Sequence, residues 1–143
     1  MEKILITGGG GYIGSMLSTE LINLGYKVTV IDVLKYDKGS LDHLYFNTNF
    51  FFINDDVGNI SILKKQIKEH DFIIPLAALV GAPLCEKNKK DAVATNFGSI
   101  KTILNNLNNK TKLIYLTTNS GYGIGEKNKY CDENSTLKPI SLY

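Results

Sequence analysis

Short apolar runs alternate with longer amphipathic stretches along this chain. Five runs rich in Ile, Val, Leu and Phe predict strands at Ile4–Thr7, Lys27–Ile31, Phe50–Ile53, Phe72–Leu76 and Leu113–Thr117. Most of these runs are apolar at successive positions, a pattern typical of parallel strands with helices packed on both faces. The strand pattern therefore favours a buried parallel sheet.

Between the predicted strands, apolar residues recur at helical spacing. The predicted helix faces are Ile13, Leu17, Leu21 and Leu24; Ile60, Leu63 and Ile67; and Val93, Phe97, Ile100, Leu104 and Leu107. Gly25 is suited to end the first helix, and a short helical turn is expected near Leu41 and Leu44. The alternation of strand and helix predicts a doubly wound α/β fold of the Rossmann type, with residues 1–143 as one domain.

The segment Asn119–Tyr143 departs from this alternation. It holds Gly121, Gly123, Gly125 and Pro139 among many polar residues, which predicts a long irregular loop. A doubly wound sheet that stops after a fifth strand is incomplete, so we expect residues 1–143 to be one portion of a longer protein. The unpaired edge of that fifth strand is expected to favour self-association.

Composition narrows the class of protein. The 143 residues include 16 basic side chains, all of them lysine, and 14 acidic ones, giving a net charge of +2. This balance and the lack of arginine argue against nucleic-acid binding. We expect a cytoplasmic protein without a membrane span, because no apolar run approaches about 18 residues and no signal-peptide layout is present. Cys85 and Cys131 lie too far apart for a metal-ligand motif.

Glycines cluster where the first predicted strand passes into the first helix. Residues 7–14 read TGGGGYIG, which fits G-x-G-x-x-G at Gly9, Gly11 and Gly14, and T-G-x-x-G-x-x-G from Gly8. In either register backbone N–H groups can approach a pyrophosphate, and Gly14 lets the helix pack against the strand. The alternative, a ligand-free turn, would carry the conformational cost of four glycines without a function.

An aspartate at the end of the second predicted strand adds a second signal. Asp32 stands where such folds bind the 2′-hydroxyl of a ribose and repel a 2′-phosphate. A 2′-phosphate site usually uses arginine, which this chain lacks. The two observations favour NAD over NADP as cofactor, although by itself Asp32 could be an ordinary surface residue at a strand end.

Taken in order, these motifs make the chain similar to a known family. It resembles the extended short-chain dehydrogenase/reductase family of NAD-dependent sugar-nucleotide epimerases and dehydratases, over residues 3–143. The resemblance rests on TGGGGYIG, Asp32-Val33-Leu34, Asp55-Asp56-Val57, PLAALV at 75–80, Asn96 within ATNFGSI, LTTNSGYG at 116–123 and PISLY at 139–143. Pro75 departs from the family, which often has histidine there.

The resemblance assigns roles to particular residues. It implies cofactor contacts at Gly8, Gly11, Tyr12, Ile13, Gly14, Asp32, Asp56, Val57, Leu76, Ala77, Ala78 and Asn96. Thr118 falls on the catalytic Ser/Thr position, and Tyr143 falls on the tyrosine of the family's Y-x-x-x-K pair. The lysine of that pair would follow Tyr143, outside this sequence.

The implied reaction moves a hydride between a sugar carbon and NAD, through a 4-keto sugar nucleotide. A nucleotide sugar is then the expected partner of the intact enzyme, and these 143 residues alone are expected to be inactive. A 4,6-dehydratase tends to carry Asp-Glu after the catalytic threonine, where this chain has Asn119-Ser120. An epimerase or a reductase is therefore favoured over a dehydratase.

Plainer interpretations stay open beside the functional ones. Asp55 and Asp56 could form a solvated turn or a helix N-cap. Asn96 could be a polar residue on a half-buried helix, and Thr118 could be an ordinary β-branched strand residue. A function from another class is a non-catalytic NAD(H)-binding module.

Overall fold

The computed structural model describes residues 1–125 and 128–143, and its centre is a parallel sheet. The strands are β1 (Lys3–Thr7), β2 (Lys27–Asp32), β3 (Phe50–Asn54), β4 (Phe72–Pro75) and β5 (Lys112–Leu113). Their order across the sheet is β3-β2-β1-β4-β5, and every neighbouring pair is parallel. This order reverses direction between β1 and β4, as in a doubly wound fold, so the predicted fold class is confirmed.

Helical segments connect the strands. They are α1 (Tyr12–Asn23), α2 (Ile60–Glu69), α3 (Ala82–Lys87), α4 (Lys89–Ala92), a π-helical stretch Val93–Gly98, and α5 (Ser99–Leu104), with 3₁₀ turns at Asp42–Leu44 and Asn119–Tyr122. The turn expected near Leu41 and Leu44 is confirmed, and both leucines are buried. Gly25 ends α1 in a left-handed conformation, with φ of +91°, as its position predicted.

Two apolar cores lie on opposite faces of the sheet. Because successive side chains of a strand point to opposite faces, β1 gives Ile4 and Ile6 to one core and Leu5 to the other. Side chains of α1 complete the first core, and side chains of α2 and α5 complete the second. The sheet is therefore covered on both sides, which explains why its strands are apolar at successive positions.

The buried face of α1 differs from the predicted one. The helix packs inward through Gly14, Ser18 and Ile22, whereas Ile13 and Leu24 are 56% and 72% exposed. A Cβ on Gly14 would lie 2.5 Å from the Cα atom of Gly9, so the helix approaches the strand turn too closely for larger side chains. Small residues therefore occupy the line of closest approach, and the apolar residues that the periodicity selects flank it.

The other two helix faces also needed correction. In α2, Leu63 and Ile67 are buried as predicted, but Ile60 is 52% exposed. The predicted third helix consists of α4, the π-helical stretch and α5, and its fully buried side chains belong to Ala92, Ser99 and Ile103. The predicted face members Val93, Phe97 and Leu104 are exposed instead, whereas Ile100 and Leu107 are partly buried against the second core. A π-turn holds more residues than an α-turn, so regular spacing does not track one face across it.

The fifth strand is shorter than the sequence predicted. Only Lys112 and Leu113 pair with β4, whereas the apolar pattern extends to Thr117. The next three residues, Ile114, Tyr115 and Leu116, are each about half exposed. Their apolar character predicted a buried strand, but no described segment pairs with the outer edge of β5. That edge is where the expected self-association would occur, and this expectation stays a prediction.

A buried histidine joins α2 to the sheet. The Nδ1 atom of His70 lies 2.6 Å from the Gln66 carbonyl oxygen, and its Nε2 atom lies 2.8 Å from Oγ1 of Thr29 in β2. A carbonyl only accepts hydrogen bonds, so in the neutral ring Nδ1 donates and Nε2 accepts from the threonine hydroxyl. Burial lowers the pKa of His70 below its usual value of 6.5, because the charged ring would lose its hydration.

Candidate functional site

A cavity of about 320 Å³ opens at the carboxyl ends of β1 to β4, across the point where the strand order reverses. Open α/β sheets bind their ligands at such a point, and this volume lies in the range of small-molecule clefts. The predicted cofactor residues that line it are Gly8, Gly11, Asp32, Asp56, Val57, Leu76, Ala77 and Ala78. Residues far apart in the sequence thus meet at one site.

The glycine turn fits tightly against the loop after β4. Gly8 has φ of +74°, and a Cβ on it would lie 2.4 Å from the backbone nitrogen of Ala77. No side chain fits at that distance, so glycine is required both by the backbone conformation and by the close approach. The turn and the β4 loop therefore form one continuous floor for the cavity.

The first turn of α1 presents unpaired N–H groups. No side chain caps this helix, and its first intrahelical bond runs from the N–H of Ser15 to the Gly11 carbonyl. The N–H groups of Tyr12, Ile13 and Gly14 come earlier in the helix and have no intrahelical acceptor. None of these three predicted residues is among those that line the cavity. Their backbone donors and the positive end of the helix dipole suit an anion such as a pyrophosphate.

Asp32 is held in place by two backbone donors. Its Oδ2 accepts from the N–H of Gly10 at 2.8 Å, and its Oδ1 accepts from the N–H of Leu34 at 2.7 Å. Leu34 has φ of +49°, a left-handed conformation that is uncommon outside glycine. A carboxylate has about four lone-pair positions, so each oxygen keeps capacity to accept a hydroxyl from a ligand in the cavity.

The acidic pair after β3 forms a turn with its own side chains. The Asp56 Oδ1 accepts from the N–H of Gly58 at 2.7 Å, and the Asp55 Oδ2 accepts from the Asn59 side chain at 3.0 Å. Asn59 in turn caps α2, so the plainer interpretation of Asp55 and Asp56 as a turn is also realised. Both aspartates line the cavity beside the buried Val57.

Asn96 lies outside the cavity lining and binds backbone instead. Its Oδ1 accepts from the N–H of Leu79 at 2.8 Å, and its Nδ2 donates to the Leu79 carbonyl at 2.9 Å. Leu79 itself lines the cavity. This predicted cofactor residue therefore contacts the backbone of a lining residue and does not line the cavity itself.

The two predicted catalytic residues do not line the cavity. Thr118 accepts at Oγ1 from the N–H of Ser120 at 3.3 Å and so caps the following 3₁₀ turn. The Tyr143 carbonyl accepts from the Ser141 hydroxyl at 3.4 Å. Neither Thr118 nor Tyr143 is among the described residues that line the cavity. The structure brings together the predicted cofactor residues of β1 to β4 but not these two.

Sequence reasoning missed part of the cavity wall. The further lining residues are Gly10, Ile31, Val33, Leu34, Lys35, Tyr36, Leu79, Asn88, Asp91, Ala94 and Thr95. Those at 33–36 directly follow Asp32, so their place after a strand end was a usable signal. Those at 88–95 precede or enter the π-helical stretch, and no regular periodicity indicates which of them face the cavity.

Charge in the cavity is mostly negative. Four aspartates line it, at positions 32, 55, 56 and 91, against the single lysine Lys35. Such a surface accepts hydrogen bonds from hydroxyl and amino groups and repels additional phosphate.

Within residues 1–125 and 128–143 no cluster of three or more His, Cys, Asp or Glu side chains could hold a metal ion. No helix in the same ranges is long and apolar enough to cross a membrane.

Curated relatives share this part of their sequence with the chain. It is 32% identical over 125 residues to a UDP-N-acetyl-alpha-D-glucosaminuronate decarboxylase of Bacillus cytotoxicus, covering 87% of this chain and 39% of that protein. It is 31% identical over 136 residues to CDP-paratose 2-epimerase of Salmonella typhi, covering 90% and 40%. The chain therefore spans less than half the length of these relatives.

Solved structures share the same fold. The UDP-Glc/GlcNAc 4-epimerase of Campylobacter jejuni aligns with a TM-score of 0.85 at 26% identity, covering 100% of this chain and 45% of that one. UDP-glucuronic acid 4-epimerase of Bacillus cereus, solved with UDP-glucuronic acid and NAD, aligns with a TM-score of 0.84 at 30% identity, covering 98% and 47%.

A family-level comparison covers almost the whole chain. The sequence model of the NAD dependent epimerase/dehydratase family matches residues 4–143. This agrees with the motifs in the sequence, with the strand order and with the cavity at the reversal point. The chain belongs to the NAD-dependent epimerase/dehydratase family, with NAD as the cofactor of that family.

Proposed function

We propose that this chain is the NAD-binding portion of a sugar-nucleotide epimerase/dehydratase. The observation that carries the proposal is the Asp32 carboxylate, fixed at the rim of the cavity by the N–H groups of Gly10 and Leu34. A fixed carboxylate beside a glycine turn is suited to a ribose diol next to a pyrophosphate. The family's use of NAD, and the NAD bound to the related epimerase of Bacillus cereus, support the same proposal.

The residues that line the cavity support this proposal for the adenosine and pyrophosphate parts of the dinucleotide. The uncapped first turn of α1 would hold the pyrophosphate, and Asp32 would accept hydrogen bonds from the adenosine ribose. Asp56 and Val57 would meet the adenine ring, which offers an amino group to the acidic side chain. In the loop at 76–78, Leu76 is followed by Ala77 and Ala78, whose small side chains would leave room for the rest of the cofactor to lie against β4.

The chemistry of the whole enzyme would be reversible oxidation of a sugar carbon. Bound NAD supplies the hydride acceptor. Thr118 would hold the reacting sugar hydroxyl and Tyr143 would take its proton, giving a 4-keto sugar nucleotide. Because relatives named as epimerases and as a decarboxylase share this portion, we assign the fate of the keto sugar to residues elsewhere in the enzyme.

A second candidate is a non-catalytic NAD(H)-binding module. It is favoured by one observation, that neither Thr118 nor Tyr143 is among the described residues lining the cavity. A free tyrosine has a pKa of about 10, so it is a poor base near neutrality unless a cation lies beside it. We therefore expect a polypeptide of only these 143 residues to bind NAD without turnover.

Calorimetric titration with NAD and NADP tests the proposal. The chain should bind NAD more tightly than NADP. Asp32→Ala should weaken NAD binding about ten- to hundredfold, because hydrogen bonds to a charged group are lost. The same substitution should reduce the difference in affinity between NAD and NADP. Asp32→Asn removes the charge but keeps one acceptor, so its affinity for NAD should be intermediate. With the carboxylate gone, a 2′-phosphate would meet less repulsion, and Lys35 is the cation among the described residues that line the cavity.

Asp37→Ala is the matched control for this titration. Asp37 also accepts a backbone N–H, from Gly39 at 2.9 Å, but it does not line the cavity. Its removal deletes the same charge and a similar turn while leaving the cavity intact, so both affinities should stay within about twofold of wild type. Equal or tighter binding of NADP by the wild-type chain would overturn the proposal.

A further inference from the structure

Both backbone polar groups of Leu79 are held by side chains. Asn96 accepts from its N–H at 2.8 Å and donates to its carbonyl at 2.9 Å. The Cys85 thiol donates to the same carbonyl at 3.3 Å. We call these three residues the Leu79 clamp. Two separate helical segments thus fix one residue of the loop after β4.

The clamp lies where two parts of the cavity wall meet. Leu79 continues the wall formed by residues 76–78, and Ala94 and Thr95 line the cavity from the helical side. Asn96 follows Thr95 directly, within the π-helical stretch Val93–Gly98. A π-turn changes the direction in which successive side chains point and is frequent at functional sites. Here it coincides with the residue that bonds across to the loop.

Beyond Leu79 the loop has a natural pivot. Gly81 has φ of +94°, and a Cβ there would meet nothing within 4 Å. Its carbonyl accepts from the N–H of Cys85 at 3.1 Å at the start of α3, and Val80 before it is 64% exposed. The hydrogen bonds of the clamp act on Leu79 directly, two residues before this pivot, and hold it against the helical segments.

The hydrogen-bonding capacity of Asn96 is largely used within the protein. Its amide nitrogen has two donor hydrogens, one directed to the Leu79 carbonyl and the other toward the Cys85 sulfur, 3.9 Å away. Its oxygen accepts from the Leu79 N–H. Cys85 is fully buried. Without breaking one of these bonds, a ligand could hydrogen-bond to the Asn96 side chain only as a donor to the second lone pair of Oδ1.

We infer that Asn96 and Cys85 are positioning residues, which act on the dinucleotide by holding Leu79 and so set the distance between the β4 loop and the helical wall. The inference rests on the proposed NAD binding at this cavity. It moves Asn96 from a direct cofactor contact to a support behind the wall. It also gives the buried Cys85 thiol a role that does not involve nucleophilic chemistry.

Two measurements on the same variants test the inference: exchange of the Leu79 amide hydrogen by NMR, and NAD affinity by calorimetry. Asn96→Ala should speed exchange at Leu79 at least about tenfold and weaken NAD by a similar factor, because a hydrogen bond that orders the wall is lost. Exchange in β1, at Leu5 and Ile6, should not change. Cys85→Ala should give a smaller loss, about two- to threefold, since a thiol is a weak donor.

Two further variants serve as rescue and control. Cys85→Ser restores a donor at the same position, so it should recover affinity relative to Cys85→Ala. Asn106→Ala removes a similar amide-to-carbonyl bond, from Nδ2 to the Thr102 carbonyl at 2.7 Å, just after α5 and outside the cavity lining. It should leave both NAD affinity and Leu79 exchange unchanged.

The outcomes separate this inference from the proposed function. No NAD binding by the wild-type chain would overturn the proposed function, and the inference would fall with it. Faster Leu79 exchange with unchanged NAD affinity would overturn the inference alone, because the clamp would then be merely structural. Weaker NAD binding with unchanged Leu79 exchange would also overturn it and return Asn96 to direct contact. If Asn96→Ala does not fold, the Cys85→Ala and Cys85→Ser pair decides by the same criteria.

Discussion

The rim of the cavity and residues 114–143 are built in different ways. At the rim, several candidate residues are fixed by contacts with segments distant in the sequence: Asp32 by Gly10, Gly8 against Ala77 and, behind the rim, Asn96 on Leu79. In residues 114–143, Thr118 bonds to Ser120 two residues away, and the apolar side chains at 114–116 are about half exposed. One region is held by long-range contacts and the other mainly by local ones.

This difference between long-range and local contacts indicates which of the predicted functional residues the five-stranded sheet positions. The predicted cofactor residues that line the cavity follow β1 to β4, whose carboxyl ends lie side by side across the reversal point. The predicted catalytic residues follow β5, where the chain leaves the sheet after the two paired residues Lys112 and Leu113. Positioning a base or a hydroxyl for catalysis needs packing on several sides, whereas Thr118 and Tyr143 each bond to a residue two positions away.

Gly8→Ala should have the largest effect, on both the stability of the fold and NAD binding. Its Cβ would meet the Ala77 backbone at 2.4 Å, and backbone cannot yield as a flexible side chain can. We expect a loss of about 2–4 kcal/mol in the free energy of unfolding, combining left-handed strain with overpacking. NAD binding should be abolished in the same variant. Urea denaturation and calorimetry measure the two effects.

Gly25→Ala is the control that separates the cost of a positive φ from the cost of a steric clash. Gly25 also has a positive φ, of +91°, but a Cβ there would meet nothing within 4 Å. Only the conformational cost of about 1–2 kcal/mol should appear, with NAD affinity unchanged. If Gly8→Ala costs no more than Gly25→Ala, the close fit between the glycine turn and the β4 loop is wrong.

A smaller effect should come from acid, because the buried His70 joins α2 to β2. His70 is held neutral when folded, but in the unfolded chain its ring takes up a proton near pH 6.5. Unfolding then binds protons, so stability is full above about pH 6.5 and falls as the pH drops toward the lowered folded pKa. Urea midpoints at pH 7.5 and 5.5 should therefore differ, with the lower midpoint at pH 5.5.

Substitution of each histidine identifies the group responsible for the acid effect. His70→Gln should reduce the difference between the two pH values, although the variant will be less stable at both. His43→Gln changes an exposed histidine that bonds to the Thr19 hydroxyl at 2.8 Å, and it should leave the difference intact. A wild-type midpoint that is the same at pH 5.5 and 7.5 would contradict the buried neutral ring.

The smallest effect should come from the predicted catalytic residues. Thr118→Val and Tyr143→Phe each remove one hydroxyl in the locally held region. Tyr143→Phe should change stability by no more than about 0.5 kcal/mol, and Thr118→Val, which also loses the cap of the 3₁₀ turn, by about 0.5–1 kcal/mol. NAD affinity should stay within about twofold in both variants. In an enzyme that retains the lysine of the Y-x-x-x-K pair, Tyr143→Phe should instead remove nearly all turnover. A large loss of NAD affinity in either variant would contradict the view that NAD binding depends on the cavity rim and not on residues 114–143.

Strand positions and the cofactor turn were the parts that sequence could predict. Alternation of apolar runs located β1 to β4 within a residue at each end, because strands buried on both faces leave a continuous apolar signal. The glycine spacing located the turn, because few other residues can occupy it. Asp32 stood out because it ends an otherwise apolar strand.

The remaining parts depend on packing that periodicity does not encode. The inward face of α1 uses Gly14 and Ser18, which carry little apolar signal. Asp91 and Thr95 line the cavity from a helical segment that contains a π-turn. The hydropathy pattern does not indicate where that π-turn lies. The clamp on Leu79 joins residues 17 positions apart, and its strongest bonds use an amide and a backbone group that no hydropathy pattern can reveal.

The two hydrogen bonds that already hold Asp32 have a consequence for how binding free energy is divided. A side chain that is ordered before the ligand arrives loses little further rotamer entropy on binding. Leu34 carries part of that ordering as left-handed backbone strain, which the folded protein bears whether or not a ligand is present. Most of the entropy lost at this corner of the cavity therefore belongs to the flexible dinucleotide and little of it to the protein.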